Sequence, residues 1–103
     1  MSFQPTQIKQ LAQRFPSEFT FGSATASWQI EGSSETRGRS VWDDFAAVEG
    51  NIKDGTVADP ACDSVNRYKE DIELLKYLGV DTYRFSVSWP RVYDFKNDMP
   101  NQQ

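Results

Sequence analysis

An α/β fold built on one βαβ unit is predicted by three features of the sequence. Residues 19–21 (FTF) alternate apolar and polar side chains, as a strand with one buried face does, and then give way to small polar residues. A helical stripe of apolar residues follows over positions 65–78, and residues 80–87 again alternate. The order strand, long loop, helix, strand is typical of two parallel strands joined by a right-handed crossover.

Two short helices are predicted in the parts of the chain that precede the apolar stripe. Residues 1–15 are polar with scattered apolar positions, so we expect a short helix there that ends at Pro16. Residues 27–58 are rich in Gly, Ser, Asp and Thr, and only Val41 to Ala47 has helical character. A connection of this length in a compact domain is usually functional or mobile.

The best-defined predicted element is the helix that carries the apolar stripe. Asp59 is expected to cap its first turn and Pro60 to occupy the first helical position, where a missing N–H leaves no hydrogen bond unmade. Gly79 is expected to end the helix in the left-handed conformation. The apolar side chains recur at steps of three and four residues: Val65, Tyr68, Ile72, Leu75 and Leu78.

The predicted βαβ unit leaves much of its surface uncovered. Two parallel strands and one helix form a sheet with open edges, whereas parallel sheets need both faces covered. The segment from Tyr93 to Gln103 is polar and is expected as a loop that adds no closing element. We therefore expect the unit to be an incomplete part of a larger fold.

Composition and charge exclude several classes of function. The net charge is −4 and Lys and Arg form no cluster, so the electrostatic footprint of a nucleic-acid-binding protein is absent. The chain has no histidine and one cysteine, Cys62, which excludes a Ser-His-Asp triad, an internal disulfide and a zinc cluster. No run is long and apolar enough to span a membrane and no secretory signal is visible, so a cytoplasmic protein is expected.

Three stretches of the chain carry a specific combination of motifs. They read FPSEFTFGSATASWQIEG, ETRGRSVWDDF and NRYKEDIELLKYLGVDTYRFSVSWPRV, and they fall within residues 15 to about 92. This combination closely resembles the N-terminal segment of glycoside hydrolase family 1, the β-glucosidases and their relatives. The resemblance implies a (β/α)8 TIM barrel, of which residues 19–26 and 80–88 match the first two strands.

The same resemblance divides the chain into three segments. Residues 1–14 form an N-terminal extension, and residues 15–92 hold the first two barrel strands with their connecting loop and helix. Residues 93–103 form a loop toward the missing remainder of the barrel. Neither a nucleic acid nor a membrane is expected as a partner, and the sequence leaves the oligomeric state open.

Two site residues are implied by the resemblance. Gln29 matches a glutamine whose amide hydrogen-bonds hydroxyls of the non-reducing sugar, and an amide offers both the donor and the acceptor that a hydroxyl can use. Arg84 matches an arginine beside the catalytic nucleophile, where a guanidinium favours an ionised carboxylate and does not itself titrate. Glu31, in the same QIEG motif as Gln29, is interpreted as structural and not as catalytic.

The substrate class implied by the resemblance is an unphosphorylated β-glucoside or oligosaccharide. Relatives that act on 6-phosphorylated glucosides commonly have Asn before the motif glutamine, where this chain has Trp28, and YRFSVSW is the version found in glucosidases. No metal or cofactor is implied, because glycoside hydrolysis needs only an acid and a nucleophile.

Neither catalytic carboxylate of the family is expected within this chain. In the family the pair lies in a TFNEP-like and a TENG-like stretch, and neither string occurs here. The preferred interpretation is an N-terminal fragment of a retaining β-glucosidase that is inactive alone. The alternatives are a fragment of a 6-phospho-β-glucosidase, a small non-catalytic sugar-binding protein, and a protein that complements the barrel of an intact relative.

Overall fold

The regular elements of the protein are short and are separated by long loops. The computed structural model describes residues 2–102, so the outermost residues of the predicted segments 1–14 and 93–103, Met1 and Gln103, lie outside the described residues. The helices are α1 (Pro5–Ala12), α2 (Ser27–Ile30), α3 (Val41–Ala47), α4 (Ser64–Leu78) and α5 (Trp89–Val92), and the strands are β1 (Gly22–Ala24), β2 (Thr82–Arg84), β3 (Tyr93–Asp94) and β4 (Met99–Pro100).

Strands β1 and β2 pair in parallel and α4 lies in the connection between them. The register places Gly22 opposite Thr82 and Ala24 opposite Arg84. A Cβ atom on Gly22 would lie 2.5 Å from Thr82 Cγ2, so a larger residue would require Thr82 or the strand to shift. Both strands are shorter than the runs 19–26 and 80–88 that the sequence indicates, because only three residues of each form the ladder.

Helix α4 ends where the sequence predicts and begins later than it predicts. Gly79 has a φ of 69° and its N–H bonds the carbonyl oxygens of Leu75 and Lys76, which confirms the glycine cap. The prediction that Asp59 and Pro60 start the helix is wrong, since the first helical residue is Ser64. The Asp59 carboxylate instead accepts hydrogen bonds from the backbone N–H (3.0 Å) and hydroxyl (2.5 Å) of Ser34, and it therefore closes a loop.

Helix α3 has the bounds that the sequence predicts, and a reciprocal pair of hydrogen bonds caps its N-terminus. The Asp43 N–H donates to Ser40 Oγ, and the Ser40 N–H donates in return to Asp43 Oδ2 at 2.7 Å. This reciprocal arrangement satisfies two backbone donors at the start of the helix. It starts the helix at Val41, after a short 3-10 helix at Ser34–Thr36.

The last described segment contains a small antiparallel hairpin, where the sequence predicts a loop. Tyr93 pairs with Pro100 and Asp94 pairs with Met99. The Asp94 carboxylate accepts from the backbone N–H groups of Lys96 (2.9 Å) and Asn97 (3.3 Å) and so organises the turn. A strand of two residues has no alternation to detect, which is why the sequence pattern did not reveal it.

The described residues form no hydrophobic core. None of their hydrophobic side chains is buried, and Tyr77 on α4 remains 88% exposed. Within residues 2–102 only Gly32 is buried; its φ is 66° and an added Cβ would clash with the carbonyl oxygen of Pro60. The uncovered apolar faces agree with the expectation that one βαβ unit cannot close on itself.

Candidate functional site

The candidate site lies at the carboxyl ends of β1 and β2. The loops that leave parallel strands at this end carry the ligand-binding groups in most α/β folds. β1 ends at Ala24 and is followed within two residues by α2, whereas β2 ends at Arg84, directly opposite Ala24. The chain therefore brings the segment with Gln29 and the segment with Arg84 to the same edge of the sheet.

Hydroxyl groups connect the two segments beyond the ends of the strands. Thr25 Oγ1 and Tyr83 OH are 2.5 Å apart, and the Thr25 N–H donates to the carbonyl oxygen of Arg84 at 3.0 Å. Ser86 Oγ accepts from the Ser27 N–H at 2.7 Å and donates to Ser27 Oγ at 3.1 Å. These contacts hold the start of α2 against the chain that leaves β2.

Gln29 is an exposed residue of α2. Its backbone N–H donates to the carbonyl oxygen of Ala26 at 3.0 Å. Among residues 2–102 no group hydrogen-bonds its side-chain amide, so the donor and the acceptor are both available to a ligand. A sugar hydroxyl can use both.

Arg84 is likewise exposed, at the last position of β2. No carboxylate among the described residues lies within ion-pair distance of its guanidinium. No contact joins the Arg84 and Gln29 side chains within residues 2–102. The two predicted site residues thus lie at the same edge of the sheet. Neither side chain has a hydrogen-bond or ion-pair partner within the part of the chain that is described.

Glu31 forms a half-buried ion pair with Arg91, a residue that sequence reasoning missed. Arg91 Nε donates to Glu31 Oε2 at 2.9 Å, and the two side chains are 20% and 19% exposed. The same guanidinium donates to Thr36 Oγ1 at 2.7 Å and to the carbonyl oxygen of Gly32 at 3.0 Å. Glu31 is therefore engaged in holding the loop after α2 against α5, as its structural interpretation requires.

A second missed cluster surrounds Asp43 at the start of α3. Arg37 donates two hydrogen bonds to the carboxylate, at 2.7 and 2.9 Å, and its side chain is only 6% exposed. The Ser40 hydroxyl and the Trp28 indole N–H donate to the same carboxylate at 2.9 and 3.0 Å. The spacing Ser40-x-x-Asp43 is a capping-box signature, so the role of Asp43 at a helix start was readable from the sequence.

The electrostatics of this cluster favour the charged forms of both partners. Hydrogen bonds from the Arg37 guanidinium, and then from Ser40 and Trp28, hold the pKa of the Asp43 carboxyl well below its usual range. The hydrogen bonds to Asp43 in turn raise the pKa of Arg37 above its ordinary value. The pair is therefore fully ionised throughout the physiological range of pH.

An open, largely apolar cleft of about 260 Å³ lies between α4 and the strand ends. Its walls include both apolar side chains of the α4 stripe and hydroxyl groups of the candidate site. They are contributed by Thr25, Ser27, Ile30, Tyr68, Ile72, Leu75, Phe85 and Ser86, among others. Ile30, next to Gln29, thus faces the helix, while Gln29 itself is not part of the cleft wall.

Comparison with known proteins identifies the family. The model of glycosyl hydrolase family 1 matches residues 11–102. The chain belongs to this family. The match contains both predicted site residues, the Glu31–Arg91 pair and the Asp43 cluster.

Curated relatives of this family-1 chain share the name beta-glucosidase. Beta-glucosidase A of Acetivibrio thermocellus is 47% identical over 91 residues, which are 86% of this chain and 20% of the relative. Beta-glucosidase A of Thermotoga maritima is 48% identical over 93 residues, 88% of this chain and 21% of the relative. The chain therefore spans about a fifth of the length of these relatives.

Solved structures of family-1 enzymes match the folded segment as well. A family-1 beta-glucosidase from the fungus Humicola insolens, in complex with glucose, superimposes with a TM-score of 0.75 at 51% identity, covering 85% of this chain and 19% of that one. The beta-glucosidase from Thermotoga maritima in complex with glucoimidazole gives a TM-score of 0.68 at 54% identity, covering 76% and 18%.

Metal-ligand clusters and membrane-crossing helices are both absent from the described part of this family-1 chain. Residues 2–102 contain no group of three or more His, Cys, Asp or Glu side chains arranged to hold a metal ion. Across the same residues, no helix has the length and apolar character that a membrane crossing requires.

Proposed function

We propose that this chain forms the start of a family-1 β-glucosidase and supplies part of its sugar-binding site. The complete enzyme hydrolyses terminal β-D-glucosides with retention, using two carboxylates about 5 Å apart. Both carboxylates come from outside residues 1–103. The observation that carries the proposal is the parallel register of β1 and β2, because it brings the Gln29 segment and Arg84 to one sheet edge in a chain of this family.

In the complete enzyme β1 and β2 are the first two strands of a (β/α)8 barrel. Residues 1–14 are an extension, residues 15–92 hold these strands with their loop and helix, and residues 93–103 lead toward the remainder of the barrel. The uncovered faces of α4 and of the two strands support this assignment, since barrel strands are covered by neighbours on both sides.

Gln29 binds hydroxyls of the non-reducing sugar, remote from the bond that breaks. Its amide is exposed and has no partner within residues 2–102, so binding a sugar breaks no existing hydrogen bond in the described chain. Contacts of this kind help to distort and position the sugar ring on its way to the oxocarbenium-like transition state.

Arg84 supports the catalytic nucleophile. Its guanidinium has no acidic partner within residues 2–102, so it is available to a carboxylate from the rest of the barrel. A positive charge beside the nucleophilic carboxylate lowers the pKa of that carboxylate and keeps it ionised for attack on the anomeric carbon. Loss of Arg84 therefore impairs the chemical step in addition to binding.

The substrate is an unphosphorylated β-glucoside. Trp28 stands before Gln29, where enzymes for 6-phosphorylated glucosides commonly have Asn, and the relatives above carry the name beta-glucosidase. The lone cysteine provides no disulfide within the chain, which fits a cytoplasmic setting.

The test is a chimera in which this chain replaces the matching segment of the Thermotoga maritima beta-glucosidase. Gln29→Ala should lower kcat/KM for an aryl β-glucoside by about three- to a hundredfold, which corresponds to roughly 0.5–3 kcal/mol for a lost hydrogen-bonding partner. Arg84→Ala should lower kcat more than Gln29→Ala does. Gln13→Ala and Arg67→Ala, on exposed parts of the chain outside the site, are the matched controls.

Kinetics on the four variants, with circular dichroism as the folding control, decide the assignment. Full activity of Gln29→Ala on every β-glycoside tried would remove Gln29 from the sugar site. A chimera that hydrolyses only the 6-phosphorylated substrate would replace the proposed substrate class with the phosphorylated one.

A further inference from the structure

We propose that Asp43 is a positioning residue for Gln29, acting through the indole of Trp28. This inference rests on the proposed role of Gln29 in sugar binding and names what holds that residue in place. Asp43 itself touches no substrate. It lies fourteen positions further along the chain, on α3, and reaches α2 only through the hydrogen bond from Trp28 Nε1 at 3.0 Å.

Helix α2 cannot hold its own orientation. It has four residues, and an isolated helix of that length is unstable because nucleation costs more than the few hydrogen bonds return. Its N-cap, Ala26, has no side chain that could accept from the free N–H groups. The direction of the side chains on α2 is therefore set by contacts with other elements.

Within residues 2–102, three residues that flank Gln29 form hydrogen bonds to side chains of other elements, and the Val65 N–H of α4 also donates to the Glu31 carbonyl oxygen at 3.2 Å. The Ser27 N–H is bound by Ser86 after β2, Glu31 is bound by Arg91 on α5, and Trp28 is bound by Asp43 on α3. Residues 27 and 31 lie four apart and so share one face of the helical turn. These two contacts alone define a line about which α2 can still rotate.

The Trp28 contact removes that remaining freedom. At 3.6 residues per turn, residue 28 points about 100° away from residue 27 around the axis, and residue 29 about 200° away. Gln29 therefore lies opposite the face held by Ser27 and Glu31, and its direction depends on how far α2 rotates. Fixing Trp28 from a third direction fixes Gln29.

Asp43 is well suited to serve as this fixed point. Its carboxylate is held by two hydrogen bonds from Arg37, by the Ser40 N–H and by the Ser40 hydroxyl, all within 2.9 Å. The Trp28 indole also contacts the Trp42 ring, with centroids 6.2 Å apart, so the ring as well as the N–H is located. The Asp43 carboxylate is therefore held in place by its donors and gives the Trp28 indole a fixed hydrogen-bond acceptor.

The experiment uses Trp28→Phe in the chimera with the Thermotoga maritima enzyme, because residues 2–102 bury no hydrophobic side chain and the isolated chain has no core. This substitution keeps a six-membered aromatic ring and removes the N–H donor together with the five-membered ring of the indole. Trp89→Phe is the matched control, since it makes the same change in ring size at a residue that stacks on Tyr93 and whose indole N–H donates no hydrogen bond within the described residues. Trp28→Phe should lower kcat/KM for an aryl β-glucoside roughly three- to tenfold, and Trp89→Phe should change it less than about twofold.

A double-mutant cycle separates positioning from general damage. If Trp28 acts through Gln29, adding Trp28→Phe to Gln29→Ala should cost less than about a further twofold. Asp43→Asn, which keeps an acceptor oxygen, should be milder than Asp43→Ala in the same assay. Additive losses from Trp28→Phe and Gln29→Ala would overturn the positioning role while leaving Gln29 in the sugar site.

Crystal structures of the chimera and its Trp28→Phe variant provide a readout that does not depend on activity. A changed direction of the Gln29 side chain supports the inference, and an unchanged one overturns it. If Gln29→Ala keeps full activity, the proposed function fails, and this structural comparison still decides whether Asp43 positions residue 29.

Discussion

Replacing Arg37 by alanine in the chimera should cost far more stability than the same change at Arg39, two residues away. Both arginines pair with an aspartate of α3. The Arg37 and Asp43 side chains are 6% and 20% exposed, whereas those of Arg39 and Asp44 are 71% and 68% exposed. The two substitutions remove the same atoms, so burial is the main difference between them.

The magnitude follows from what Arg37→Ala leaves behind. Removing one partner of a buried ion pair costs about 3–5 kcal/mol, because the other charge stays buried without compensation. Asp43 is still a fifth exposed and keeps hydrogen bonds from Ser40 and Trp28, so we take the lower limit, about 3 kcal/mol. Exposed pairs contribute little and are screened by salt, so Arg39→Ala should be close to neutral.

The assay is urea unfolding of the chimera and its two variants, followed by tryptophan fluorescence, with the free energy taken from the midpoint and slope. Combining Arg37→Ala with Asp43→Asn should recover part of the loss, since the uncompensated charge is then removed. Equal losses for Arg37→Ala and Arg39→Ala, or no recovery in the double variant, would refute the view that the buried charge of Asp43 dominates this cluster.

Two further predictions concern the chain itself and its response to acid. The isolated 103-residue chain should show no turnover of an aryl β-glucoside even at high concentration, because it carries neither family carboxylate; turnover that copurifies with the chain through successive columns would contradict this. The lowered pKa of Asp43 means that its stabilisation is complete above the ordinary aspartate value near 4 and is lost as the pH falls toward the folded-state pKa. The stability difference between the chimera and its Asp43→Asn variant should therefore shrink from pH 6 to pH 2 in urea unfolding, and a constant difference would exclude titration of Asp43 as its source.

Local signals in the sequence predicted the elements that depend on local contacts. The bounds of α3 and the end of α4 at Gly79 follow from short-range patterns, a helical run and a left-handed cap, and the structure has both. The start of α4 was missed because Asp59 binds Ser34, twenty-five residues away, in place of the nearby backbone. A carboxylate that is hydrogen-bonded to a distant residue is not available to cap a nearby helix.

The residues of the candidate site likewise fall into those that a motif indicates and those that depend on distant partners. Family resemblance indicated Gln29 and Arg84 through their motifs, and the assignment of these two residues to a sugar site stays a prediction. Arg91 was missed because its partner Glu31 becomes a neighbour only when distant loops fold back on each other, and Arg37 was missed because its spacing of six residues from Asp43 matches no regular side-chain pairing. A single sequence contains no signal for a pairing across sixty residues, such as Glu31 with Arg91.

Polar contacts, and not a core, hold the site-bearing segment of this chain. The described residues bury no hydrophobic side chain, yet the segment from Ser27 to Asp43 is bound from outside by Ser86 and Arg91 and is closed on itself by the Trp28–Asp43 hydrogen bond and the Arg37–Asp43 ion pair. Hydrogen bonds and ion pairs are directional, whereas apolar burial is not, so they can define the orientation of a loop without a packed interior. Under the proposed function, the geometry of the sugar-facing segment is thus encoded within these residues, and the remainder of the barrel supplies the burial that stabilises it. Substitutions in the Arg37–Asp43 and Glu31–Arg91 pairs should consequently alter catalysis through the placement of Gln29, while substitutions on the exposed stripe of α4 should act through stability alone.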